Sequence, residues 1–300
     1  MTTNRGVVCT GRLYCDVIFT GLRRMPTLGT ETFADGLGLH AGGGAFITAA
    51  YLAAHRRPVS LMASIPIDPF GAIVMREITA SNVDTSLCDL ARENVEPQLT
   101  VAMVTGGDRA FVTRRSGPAI PTAMLTDLAA PGLTHLHIGE LATLLEHPEL
   151  IDVARTNGLS ISLDCSWDDD LPLSEVAGPI SQVDVFLPNE AEAARLTDAG
   201  LRLPMAPVTA VKMGDKGAEV WTAEGHLSGR ADAVPVVDTT GAGDAFNGGF
   251  LNRWIDGAPL QTCLNAGIAC GTVSVQHEGG VGGVPHLEHA QQSSQLDVVG

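Results

Sequence analysis

The sequence predicts an α/β fold built on a largely parallel sheet, and three observations lead there. Short β-rich runs alternate with helix-like stretches along most of the chain, the order expected of strand–helix–strand units. Several of those runs are continuously apolar, as parallel strands covered on both faces should be. Two segments, about 12–38 and 97–117, break the alternation and suggest a small antiparallel sheet beside the main one. That sheet is read as a lid over a site; the plainer alternative is an edge extension of the main sheet.

In chain order, residues 12–38 hold strand-like pieces separated by Pro26, Gly29, Asp35 and Gly36. Glycines cluster from Gly36 to Gly44, where backbone must turn sharply or approach a ligand closely. Ala45–His55 reads as a helix, Val59–Ala63 as a strand and Pro69–Ala80 as a second helix. A hairpin is expected from Gln98–Thr105 and Ala110–Arg114 about a turn at Gly106-Gly107-Asp108. Strands follow at Leu133–Ile138, Leu159–Leu163, Val183–Leu187, Val208–Lys212 and Ala218–Thr222, with helices at His147–Asn157 and Glu190–Asp198. The last helix, Asp244–Ile255, carries Phe246, Phe250 and Trp254 on one face. No repeat or low-complexity segment divides the chain, so residues 1–300 are expected to form one domain.

Composition removes several functions. With 45% apolar and 17% charged residues the chain can bury a large core. Aromatics are only 4%, too few for a platform that stacks single-stranded bases. A formal charge of −16 lacks the footprint of a nucleic-acid binder. The same charge repels anionic substrates at long range, so a phosphate compound would need a local positive field. The six cysteines form no Cys-x-x-Cys pair and read as buried, reduced thiols. No signal-like run and no stretch of 18 apolar residues occurs, so a cytoplasmic protein engaging neither membrane nor nucleic acid is expected.

The chemistry concentrates in Val234-Pro-Val-Val-Asp238-Thr-Thr-Gly241-Ala-Gly243-Asp244-Ala-Phe246. A short apolar strand runs into a glycine turn and then a helix. The N–H groups of Gly241, Ala242, Gly243 and Asp244 would sit at the positive end of the helix dipole, which suits an anion. A carboxylate there repels that anion unless it has its own task, and the natural one is to take a proton from a hydroxyl attacking a phosphoryl group. The other reading of Asp244 is a helix cap. A dinucleotide fingerprint is a poor fit, because the third glycine position holds Phe246, and no P-loop occurs.

This segment closely resembles the C-terminal signature of ribokinase-like carbohydrate kinases, the PfkB family. The resemblance extends to Gly11–Asp16, Gly29-Thr-Glu31, Gly42-Gly-Gly44, Asp68-Pro-Phe-Gly71, Pro188-Asn-Glu-Ala-Glu192 and Lys212-Met-Gly214-x-x-Gly217, in the family's order. It implies a three-layer α/β/α fold with a central, mainly parallel sheet and a small β-sheet lid. It also implies transfer of the ATP γ-phosphoryl group to a hydroxymethyl group, with Asp244 as general base and Gly241, Ala242 and Gly243 as an anion hole.

By the same resemblance, Asn189 and Glu192 help position Mg²⁺ through water. Asn followed three residues later by Glu is equally a capping box, and both readings stand. Lys212, Gly214 and Gly217 border the nucleotide phosphates, or form an ordinary loop start. Asn265 lies beside the adenine, or is a surface helix residue. Asp238 and Thr240, with the loop Val275–Gly283, match a monovalent-cation (K⁺) site found in part of the family. Asp164 falls near the sheet edge with no sharp role.

On the acceptor side, Asp16 binds sugar hydroxyls and Gly42 and Gly43 let substrate approach the backbone. Ile47 stands where many members carry a substrate-binding Asn, which puts ribose-like recognition in doubt. Arg114 and Arg115 end the second lid strand; they read either as anion contacts to the acceptor or as solvated edge charges. The pairs His135/His137 and His286/His289 lack a complete ligand set. The expected partners are therefore ATP and a small polyol, sugar or nucleoside, with a homodimer formed through the lid. A nucleoside kinase of the same fold and a non-catalytic sugar or nucleotide sensor are the alternatives.

Overall fold

The protein is described by a computed structural model, which covers residues 5–90, 98–105, 108–166 and 171–287. In chain order its main elements are β1 (Gly6–Thr10), β2 (Tyr14–Leu22), β3 (Gly36–Gly42), α1 (Gly44–Ala54), β4 (Val59–Met62), β5 (Ser64–Ile65) and α2 (Phe70–Ala80). Next come β6 (Asp89–Leu90), β7 (Leu99–Thr105), β8 (Asp108–Arg114), β9 (Leu133–Ile138), α3 (Leu141–Glu146), α4 (Glu149–Thr156), β10 (Ser160–Asp164) and α5 (Leu173–Ser181). The chain continues through β11 (Val185–Leu187), α6 (Glu190–Asp198), β12 (Val208–Lys212), β13 (Ala218–Thr222), β14 (Gly225–Gly229), α7 (Ala242–Ile255) and α8 (Leu260–Ser274).

Eight strands form the main sheet in the order β14-β13-β12-β11-β10-β9-β1-β4. All neighbours are parallel except β12–β13 and β13–β14. Side chains that alternate along the strands feed two cores. Val7, Cys9 and Leu61 join α1, α2, α7 and α8 on one face, whereas Val8, Met62, Leu136 and Ile138 join α3, α4 and α5 on the other. This is a three-layer α/β/α arrangement. Strand order reverses where β1 lies between β9 and β4, and such a reversal opens a crevice at the carboxyl ends of the strands.

The two segments that break the alternation build a separate four-stranded sheet, ordered β3-β2-β7-β8. It is mixed rather than purely antiparallel, because β2 and β7 run parallel. The hairpin's turn residues Gly106 and Gly107 fall outside the described residues, as does His289. Most boundaries shift by a residue or two; helix α4, for example, starts at Glu149 rather than His147. The short strand expected from Val234 is instead irregular chain, with Val236 and Val237 exposed rather than packed in a sheet. Helix α8 was anticipated only at Asn265: small residues let it pack tightly on α7, with Gly267 against the Phe246 ring, so it lacks a strong amphipathic stripe. Among the described residues, no helix is long and apolar enough to cross a membrane.

Candidate active site

The carboxyl ends of β1, β9, β10 and β12 gather around the N-terminus of α7. The segment before that helix is seated on the end of α8 by Val237 N–H, which donates to Val275 O at 2.7 Å. Gly241 then enters the helix with φ of 72°, a left-handed conformation that favours glycine. A Cβ at Gly241 would also lie 2.7 Å from Gly280 Cα and 3.0 Å from Ile47 Cδ1. The Ala242 N–H closes a turn onto Thr239 O at 3.3 Å.

Ile47 is 3% exposed and packs under the turns at Gly241 and Gly280. The reason is the course of α1, which is buried from Ala45 to Leu52 and crosses beneath the start of α7. Position 47 therefore packs against the turns at Gly241 and Gly280.

Asp244 stands where α1 and α7 meet. Thr48 Oγ1 donates to its backbone O at 3.2 Å, and a Cβ on Gly44 would lie 2.7 Å from Asp244 Oδ1. Burial pushes the Asp244 carboxyl well above the usual carboxylate range, and Asp164, Glu192 and Asp16 add to the rise while Lys212 opposes it. Lys212 turns inward. Its Nζ donates to Asp164 Oδ2 at 2.8 Å and reaches Asn247 Oδ1 at 3.4 Å, while Asn247 Nδ2 donates to the same Asp164 oxygen. Burial pulls the Lys212 ammonium down, but Asp164, Glu192 and Asp244 more than offset that and hold it charged.

Asn189 and Glu192 form a complete capping box at α6. Glu192 N–H donates to Asn189 Oδ1 at 2.9 Å, and Asn189 N–H donates to Glu192 Oε2 at 2.7 Å. Among the described residues no group of three His, Cys, Asp or Glu is placed to hold a metal directly. Asp164, Asp244 and Glu192 all act electrostatically on the Lys212 ammonium.

On the other side of Asp244, Asp16 pairs across β2 with His40 of β3 and Thr100 of β7. Its carboxylate lies over Gly42, where a Cβ would be 2.2 Å from Oδ2. Burial raises the Asp16 pKa to about 7; His40 and Thr100 oppose the rise, and Glu77 and Asp238 add to it. Glu77 of α2 clamps the base of β3, accepting from Ala41 N–H at 2.7 Å and meeting His40 Nδ1 at 3.0 Å. Gly43 lies against Arg12 O. Asp238 accepts from Thr240 N–H at 2.9 Å and Gly279 N–H at 3.0 Å. Thr240 Oγ1 is buried and has no hydrogen-bond partner among the described residues.

Other candidates lie further out. Gly214 and Gly217 shape the turn after β12, where Met213 N–H donates to Gly217 O at 2.9 Å. Asn265 is on the exposed face of α8, where its Oδ1 accepts from Gln261 Nε2 at 2.9 Å. Arg115, just past β8, is exposed and bonds the Tyr14 phenol. His135 and His137 are spent on Ser160 and Ser162, and His286 stacks on His277 with centroids 4.0 Å apart. The sequence reading passed over Asn247, although its i+3 spacing from Asp244 puts both on one face of α7. It also passed over Arg12, His40 and Glu77, whose partners are distant in sequence.

Comparison with known proteins bears on this geometry. The pfkB family carbohydrate kinase model matches residues 4–287. A 2-dehydro-3-deoxygluconokinase of Bacillus subtilis is 27% identical over 256 residues, covering 76% of this chain and 78% of its own. An ATP-dependent ribose-1-phosphate kinase of Halopiger xanaduensis is 25% identical over 282 residues, covering 91% and 93%. Among solved structures, a ribokinase of Arabidopsis thaliana complexed with ribose and ATP superposes with a TM-score of 0.79 at 19% identity, over 96% of this chain and 97% of that one.

Proposed function

The chain belongs to the pfkB family of carbohydrate kinases, phosphotransferases that act on hydroxyl groups, and from that premise we propose that it transfers the γ-phosphoryl group of ATP to a hydroxymethyl group of a sugar or sugar derivative, with Asp244 as general base. The observation that carries this reading is the place of Asp244. A buried carboxylate of raised proton affinity sits at the N-terminus of a helix, between a polar acceptor side and a Lys212–Asp164–Asn247 corner.

Asp16 orients acceptor hydroxyls, and Gly42 leaves room for its carboxylate. Asp244 takes the proton of the attacking hydroxyl, a task for which a carboxylate of raised pKa is better suited than an ordinary one. The N–H groups of Gly241 and Gly243 face the developing charge with dipoles fixed in advance by the left-handed turn and the helix. Lys212 supplies positive charge beneath them, and Gly214 and Gly217 border the nucleotide. Mg²⁺, when bound, offsets phosphate charge. Asn189 and Glu192 would hold it through water, and the clustering of the Asp164, Asp244 and Glu192 carboxylates supports that fit. The orphaned Thr240 Oγ1 beside Asp238 supports a monovalent cation there. The small sheet acts as a lid that excludes water from the transfer. Leu37, Phe111 and Val112, exposed on that sheet, support pairing with a second copy.

The test is Mg²⁺- and ATP-dependent ADP release across sugars, sugar acids, sugar phosphates and nucleosides, with 2-dehydro-3-deoxygluconate and ribose 1-phosphate tried first. Asp244→Asn serves as the blank. We expect Asp244→Asn to keep ATP affinity and to lose about 10²–10⁴-fold in turnover. Equal turnover of the two proteins would remove Asp244 as the base. ATP binding without product on every acceptor would favour a non-catalytic sensor.

A further inference from the structure

We infer that Arg12 sets the angle of the lid over the acceptor by tying the roots of the lid strands to the body. The inference rests on the lid assignment made above. The chain crosses between body and small sheet at four places: Gly11–Leu13 before β2, Gly42–Gly43 after β3, Gln98 before β7, and Arg115–Gly117 after β8. Arg12 touches all of them. It lies within the first crossing, and its carbonyl oxygen abuts Gly43 at the second, where a Cβ would stand only 2.3 Å away. Its Nη1 donates to Gln98 Oε1 at 2.8 Å and to Gly117 O at 2.9 Å, the third and fourth.

The same guanidinium is anchored in the body. Its Nη2 donates to Glu146 Oε2 at the end of α3, and its Nε faces Glu140 Oε1 at 3.6 Å. Glu146 in turn accepts from Ala119 N–H at 2.9 Å, drawing in the chain that leaves the lid. Arg12 is 7% exposed, so its permanent charge depends on these partners. A planar fork with five donors can hold two lid roots and a body carboxylate at once, whereas an ammonium cannot match that geometry.

The arrangement reaches the acceptor directly. Asp16 lies four residues beyond Arg12 on β2, and its cross-strand partner Thr100 lies two beyond Gln98 on β7. A small rotation at the roots therefore moves both relative to Asp244, which is fixed in the body. Arg12 is a positioning residue, remote from the reacting atoms.

The test compares wild type with Arg12→Lys and with Gln98→Ala, which removes one lid-side partner and leaves the body anchor intact. Hydrogen exchange without ligand should quicken in Tyr14–Leu22, Leu99–Thr105 and Asp108–Arg114, and stay unchanged in β9 and β10. With the acceptor found by the panel, its KM should rise about tenfold or more while the KM for ATP moves less than about twofold. ADP release in ATP and Mg²⁺ without acceptor should rise relative to coupled turnover. Unchanged exchange in the lid strands, loss of protection spreading through the main sheet, or equal rises in both KM values would overturn the inference. If no acceptor is turned over by wild type, the kinase reading fails, and the exchange comparison, which needs no substrate, still decides the role of Arg12.

Discussion

Gly44→Ala is the most informative single perturbation of the site, because it adds one methyl group at a known place. The new Cβ would lie 2.7 Å from Asp244 Oδ1 and 2.9 Å from Gly139 O. Gly139 cannot give way easily, since its N–H is bonded to Thr10 O at 2.9 Å across the main sheet. The Asp244 carboxylate must therefore retreat by about 0.7 Å to reach ordinary contact, and a displacement of about 1 Å can cost on the order of 10²-fold in rate. We expect kcat to fall roughly 10- to 100-fold. Stability should change much less. Alanine gains about 1 kcal/mol of helix propensity over glycine, against an overpacking cost of about 1–3 kcal/mol. The assay is steady-state kcat on the best acceptor together with thermal unfolding. Retention of kcat within about twofold in Gly44→Ala would refute the placement of Asp244 at the reacting hydroxyl.

Two further outcomes follow from the buried charges. Lys212→Met leaves Asp164 buried without its ammonium, 2.8 Å away in the intact protein, and should cost about 3–5 kcal/mol, a drop in Tm on the order of 6–10 °C; adding Asp164→Asn should restore more than half of it, and a lack of rescue in calorimetry would argue against the pair as the cause. Asp16 has a folded pKa of about 7, raised above its unfolded value, so its favourable contribution is complete below the unfolded pKa and is lost as pH rises through about 7. Asp16→Asn should therefore gain stability relative to wild type between pH 5 and pH 8, on the order of a few kcal/mol, and chemical denaturation giving the opposite trend would contradict the burial of that carboxylate.

What the sequence disclosed about this molecule divides by distance along the chain. The α7 motif was legible because turn and helix are contiguous from Asp238 to Phe246, so the helix N-terminus and its carboxylate could be placed without knowing the rest of the fold, although the strand expected from Val234 is irregular chain. The same holds for β9 and β12, whose apolar runs end where the strands end. Contacts between elements were not legible. Lys212 and Asp164 are 48 residues apart, and Arg12 is 86 from Gln98 and 134 from Glu146; only the sheet order brings them together. Ile47 joins the two cases. Its apolar character at a position where relatives of the fold use a polar residue was visible, but its purpose required the crossing of α1 beneath α7. Ile47 packs against the Gly241 and Gly280 turns, while Asp16, His40 and Thr100 lie side by side on β2, β3 and β7. On the proposed reading, the body would carry the chemistry through Asp244, Lys212 and Asp164, and specificity would reside on strands positioned by Arg12. Substitutions on the inner face of the small sheet should therefore exchange acceptors without disturbing the transfer step, whereas those around Asp244 should slow every acceptor alike.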